Sequence, residues 1–228
     1  MSIATAVEAG TDLVEYYFAR GWTDGLPVVP PTREKVEAFI TALGGEPELV
    51  ECKVAPRWGL LTREVLAINA VMAGCLPDYA PVLRAAMLAL TDPLFNLNGV
   101  QATTHMAAPL VIVNGPAARA IGMNGGANAF GPGNRANATI GRAIRLIMLN
   151  VGGAHPPDLD KCTLGIRRNT ATPSARTRPT APLPPIMSSM AGSRRTAPSS
   201  PWQRRRRTAS PTTSATTPRA SSTPSVRR

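Results

Sequence analysis

The first pattern along the chain is helical. Apolar residues at Val7, Val14, Tyr17 and Phe18 share one face, and Gly21 ends the run, which predicts a helix over 4–20. The stretch Trp22-Thr-Asp-Gly-Leu-Pro-Val-Val-Pro-Pro31 reads as a turn and then an extended run, because its prolines fix φ and remove donors. Thr32 is the predicted N-cap of a helix to Leu43, stopped by Gly44-Gly45. Residues 49–54 read as a strand. Thr62 caps a further helix that runs to Ala73 and stops at Gly74, and another helix spans 79–90. Strands are predicted over 100–104 and 109–114, the second (Pro-Leu-Val-Ile-Val-Asn) being the more apolar. A short helix over 117–121 leads into a Gly/Asn loop, 122–134. The last element is a strongly apolar helix over 136–151, closed by Gly152-Gly153.

Helices interleaved with short strands place the chain in the α/β class, or α+β, with a small and incomplete mixed sheet. No internal repeat is present. The longest apolar runs are far shorter than a bilayer requires, so no membrane span is expected. The N-terminus carries Glu8, Asp12 and Glu15 where a signal peptide would be basic and then apolar. Three Cys in 228 residues make no disulfide framework, and a reduced cytoplasmic setting is expected.

Charge divides the chain sharply. Residues 1–166 hold twelve basic residues against all fourteen acidic ones, a net charge of −2. Residues 167–228 hold thirteen Arg, no Lys and no acid, a net charge of +13, in a background of Ser, Thr, Pro and Ala. Such a composition cannot bury enough apolar surface to offset chain entropy. A globular domain over 1–165 and a disordered basic tail over 166–228 are therefore expected. One reading of the tail is a non-specific nucleic-acid arm centred on Arg204-Arg205-Arg206-Arg207. The other is out-of-frame translation of a GC-rich gene. Joining the third base of each codon to the first two of the next, from Gly165, residues 166–182 can decode as H-P-A-K-Y-R-Y-S-F-C-E-N-E-A-D-S-P. That string restores the acids and aromatics the tail lacks.

Candidate chemistry lies in the first 165 residues. The loop Asn124-Gly-Gly-Ala-Asn-Ala-Phe-Gly-Pro-Gly-Asn-Arg135 runs directly into a helix, where exposed N–H groups favour an anion. Arg135 would clamp a carboxylate or phosphate, with Asn134 and Asn137 as amide donors. The same Asn residues also serve as plain helix caps, and the spacing is no known phosphate motif. Cys75 stands between two helices, where a thiolate is favoured, and His105 ends a predicted strand; together they would handle protons or thiol chemistry. The competing reading of Cys75 is a small buried hydrophobe. Asp24 and Arg57 sit among turn formers and Trp, as site-lining or simple turn residues. His155 reads as an exposed loop residue. Two His and three scattered Cys give no metal signature, and no cofactor is indicated.

Several motifs together resemble a family of uncharacterised bacterial proteins. They are Gly21-Trp-Thr-Asp-Gly-Leu-Pro-Val-Val-Pro-Pro-Thr32, Pro56-Arg-Trp-Gly59, Asn69-Ala-Val-Met-Ala-Gly-Cys75, Gly99-Val-Gln-Ala-Thr-Thr-His105, Pro109-Leu-Val-Ile-Val-Asn-Gly-Pro116 and Gly131-Pro-Gly-Asn-Arg-Ala-Asn-Ala-Thr-Ile-Gly-Arg142. The resemblance covers residues 10–165. It implies a continuation with a G-K-Y…E-N-E…S-P pattern, of which the shifted decoding recovers K-Y, E-N-E and S-P in that order, so the departure falls at Ile166. Such proteins are often encoded near a small protein with a U/C-G-S-C motif, which implies thiol or selenol redox chemistry.

Three functions follow as expectations. The first is an enzyme or enzyme subunit that binds a small anionic substrate, truncated and inactive in this copy if the frame is lost. The second is a non-catalytic partner of a thiol-redox protein. The third is non-specific nucleic-acid binding through the tail.

Overall fold

A computed structural model describes residues 10–162. Seven α-helices and one β-hairpin form along them, in the order α1 (Leu13–Ala19), α2 (Arg33–Ala42), β1 (Val50–Val54), β2 (Gly59–Thr62), α3 (Arg63–Ala73), α4 (Ala80–Leu90), α5 (Leu97–Gln101), α6 (Pro116–Ala120) and α7 (Arg135–Asn150). The fold is thus helices with a small two-stranded antiparallel sheet, a mixed α/β arrangement.

Short polar side chains start the helices. Asp12 accepts from the Val14 and Glu15 N–H groups at 2.9 and 3.4 Å, and Thr62 accepts from Val65 N–H at 3.3 Å. Asn134 does the same for α7, accepting from Asn137 N–H at 2.9 Å. Helix α3 ends where Gly74 turns left-handed at φ 92°, a conformation that costs glycine nothing.

Helix α3 is the centre of the packing. Its Leu66, Ala67 and Ala70 are fully buried, between Phe39 of α2 on one side and Ile140, Ala143 and Ile147 of α7 on the other. Alanines at this contact let α3 and α7 approach closely. Helix α4 adds Leu83 and Met87, and the hairpin adds Val54 and Leu61, all without exposed surface. The hairpin turn is pressed against the end of α7: Arg57 N–H donates to the Gly152 carbonyl at 2.9 Å, and a Cβ at position 59 would collide with the Val151 carbonyl. Only glycine fits there.

Three differences from the sequence reading have physical causes. Strand β2 is missing from it, because four residues are short and Thr62 serves both as strand end and as helix cap. The predicted strand 100–104 is the end of helix α5 and the bend after it. Asn96, left-handed at φ 56°, caps Gly99 N–H at 3.3 Å and starts a helix that outweighs the β-branched residues behind it. Residues 109–114 form no strand and belong to no sheet among the described residues. The first part of the predicted helix over 4–20 and the tail over 166–228 lie outside the described residues. Among the described residues no helix is long and apolar enough to cross a membrane.

Candidate functional site

The signature stretch after α1 is strapped to α7 by one ion pair. Arg142 holds Asp24 through both oxygens, Nε to Oδ2 at 3.1 Å and Nη2 to Oδ1 at 2.9 Å. It also donates to the carbonyls of Leu26 and Pro27. The Asp24 side chain is only 3% exposed, so its carboxylate is committed to this clamp. Arg57 packs its side chain over Gly153 at the hairpin–α7 contact.

The Gly/Asn loop is held from inside. Asn137, 1% exposed, donates to the carbonyls of Asn124 and Ala129 at 2.8 and 3.0 Å, and accepts from Asn124 N–H at 3.0 Å. Asn134 caps α7 and donates to the Gly122 carbonyl at 2.8 Å. Both amides are thereby spent on loop structure. Arg135 is exposed and reaches across to α3, donating to the Gly74 carbonyl at 3.0 Å.

That contact brings Arg135 beside Cys75, two residues the sequence reading placed in one site. Burial pushes the Cys75 thiol up to about 12, against a hydrogen bond with Thr139 and the positive charge of Arg135. The thiol is therefore protonated at neutral pH and a poor nucleophile. His105 lies in an exposed stretch, its N–H bonded to Thr103 Oγ1 at 3.0 Å. The groups that surround Cys75 are Thr139, Arg135 and Tyr79.

A cavity lies elsewhere. A cleft of about 1070 Å³ opens between the end of α1, α2, α3 and the residues after α7. One wall is aromatic. Trp22 stands 6.3 Å from Tyr16 and 6.1 Å from Tyr17, and the two tyrosines meet edge-on at 5.6 Å. Arg20 lies over both faces, 4.5 Å from the Tyr16 ring and 5.3 Å from the Trp22 ring. Stacking of this kind holds a guanidinium flat, with its N–H edge turned outward. Burial, then the neighbouring Tyr16, raises the Tyr17 phenol above its ordinary value, which keeps it a donor.

Part of the polar lining of the cleft comes from α3 and α7. Asn69, 3% exposed, donates to the Val65 carbonyl at 2.8 Å and accepts from Asn150 Nδ2 at 2.8 Å; Asn150 also donates to the Trp22 carbonyl at 3.2 Å. Glu64, Thr32, Arg33, Glu37 and His155 also line the cleft. Arg33 is exposed and pairs with Glu37 at 3.6 Å. His155 is half-buried here, not the exposed loop residue that its two following prolines suggest. Asn69 had a visible signal, one amide inside an otherwise apolar helical run. Arg20 and His155 had none, because the cleft joins residues more than a hundred positions apart.

Compared with known protein families, curated proteins and solved structures, the chain matches none.

Proposed function

We propose that the protein is an enzyme or enzyme subunit that binds a small organic anion with a flat apolar body in the cleft between α1, α2 and α3. The observation that carries this reading is Arg20, stacked on Tyr16 and Trp22 beside buried Asn69 and its hydrogen-bond partner Asn150. Among the described residues no carboxylate pairs with Arg20. A cavity with apolar walls and a few fixed polar groups is the usual form of a small-ligand site.

Benzoate, benzylamine and benzyl alcohol serve as probes, read by quenching of tryptophan fluorescence. Benzoate is expected to bind saturably and the other two weakly. Arg20→Met, with an unchanged circular-dichroism spectrum, is expected to weaken benzoate at least tenfold, about 1.4 kcal/mol. Equal binding by benzylamine, or an unaltered Arg20→Met variant, would sink the proposal.

A second reading concerns thiol or selenol chemistry. The buried, protonated state of Cys75 favours a partner role, in which a small U/C-G-S-C protein carries the reactive group and this chain docks it. Calorimetric titration of such a protein into the Cys75→Ser chain is expected to give undiminished affinity. Loss of binding would return Cys75 to the reaction.

A further inference from the structure

The cleft between α1, α2 and α3 holds a second charged side chain without a partner. Glu64, the second residue of α3, is half-buried and lines the cleft. The helix dipole favours a carboxylate in the first turn, so position alone assigns Glu64 no role. The cavity and the fate of the nearby cations do. Arg63 is committed to Glu51 at 2.8 Å and to the Gly45 carbonyl at 2.7 Å. Arg33 pairs with Glu37 at 3.6 Å. Among the described residues no Lys, Arg or His, His155 included, stands within ion-pair distance of Glu64.

Arg20 and Glu64 are thus a cation and an anion that share one cavity and do not pair with each other. Helix α3 explains why. Glu64 and Asn69 are five positions apart, about 7.5 Å along the axis at 1.5 Å per residue. Asn69 accepts from Asn150, and Asn150 donates to the Trp22 carbonyl, so the aromatic wall that carries Arg20 stands level with Asn69. The other end is fixed separately, where Glu64 N–H donates to the Pro47 carbonyl at 2.9 Å. Between the two levels α3 presents Val65 and Ile68 to the cleft. Opposite charges held apart along an apolar wall match a ligand with opposite charges at the two ends of a flat body. A cleft of about 1070 Å³ also suits a ligand larger than one bare ring.

We propose that Glu64 is the second recognition point of this cleft and that the ligand class is an amphoteric aromatic acid, its carboxylate at Arg20 and its ammonium group at Glu64. This inference rests on the reading of Arg20 as the anion site and adds the substrate class to it. An ammonium group on a half-buried carboxylate forms a charge-assisted hydrogen bond, which a neutral group of the same shape cannot replace.

The test compares para-(aminomethyl)benzoate with para-ethylbenzoate, which has nearly the same shape and no ammonium group. Both are titrated into the 228-residue chain at pH 7 and read by tryptophan fluorescence. The amino acid is expected to bind about tenfold tighter. In Glu64→Gln, with an unchanged circular-dichroism spectrum, that ratio is expected to fall to near unity, whereas Glu37→Gln keeps it. A variant-free arm uses ortho-(aminomethyl)benzoate, whose ammonium group cannot reach the far end of the cleft and which should show no advantage over ortho-ethylbenzoate. Equal binding of the two para compounds overturns the inference and leaves the anion reading standing; failure of both to bind overturns both. An advantage kept by the ortho compound, or lost in Glu37→Gln and not in Glu64→Gln, also overturns the assignment to Glu64.

Discussion

At the scale of single residues, the polar groups most suggestive of chemistry in the sequence are the most fully used for structure. Cys75 is the clearest. The residue is 7% exposed and burial pushes its thiol up to about 12, so iodoacetamide at pH 8 is expected to leave it unmodified in the native chain and to alkylate it in urea. Peptide mass spectrometry reads this directly, and native labelling at Cys75 would refute the burial argument. Asp24 is the second. Its carboxylate and the Arg142 guanidinium meet across 118 positions of sequence and are 3% and 17% exposed. Asp24→Ala leaves that cation without its partner, so about 3 kcal/mol of stability is expected to disappear. In a double-mutant cycle, Arg142→Met should recover part of it. A variant as stable as the parent in urea would show that the strap carries no load.

Among the elements, the hairpin depends on one carboxylate. Glu51 of β1, 3% exposed, accepts from Arg63 Nε of α3 at 2.8 Å and from Arg84 Nε of α4 at 2.7 Å. Burial alone would raise its pKa, but the two hydrogen bonds and charges prevail and hold it below its ordinary value. The unfolded chain then binds this proton more readily than the folded one. The triad's contribution is complete above the ordinary Glu pKa of about 4.3 and is lost as pH falls through the lower folded value. Denaturant midpoints of the parent and Glu51→Gln should therefore differ at pH 7 and converge toward pH 3. A constant gap would exclude the linkage. Elements of this kind were unevenly legible. Helices α3 and α7 could be read because Thr62, Gly74 and Asn134 act locally, within a turn of where they stand. The Glu51 triad could not, since its arginines lie 12 and 33 residues away. The alternation over 109–114 was readable, but whether a strand finds a neighbour is a property of the rest of the chain. The cleft suffers the same difficulty more severely: Asn150 meets Trp22 across 128 positions.

At the scale of the whole molecule, the charge is the property most easily misread. A net +11 invites a nucleic-acid function, yet residues 1–166 carry −2 and residues 167–228 carry +13. Thirteen Arg will bind phosphate whether or not they evolved to do so, because counterion release depends on how many charges are neutralised. Binding to a random DNA duplex is therefore expected, falling about a thousandfold or more between 50 and 200 mM salt if six to ten phosphates are engaged. Deleting residues 167–228 should abolish it. That result alone would not make the tail a functional arm. The informative variant keeps the tail's composition and scrambles its order. If the tail is out-of-frame translation, order was never selected, and fluorescence anisotropy should give the same affinity and the same salt slope for both chains. A scrambled tail that binds markedly more weakly would show that the spacing of the arginines matters, and would identify 167–228 as a protein segment in its own right.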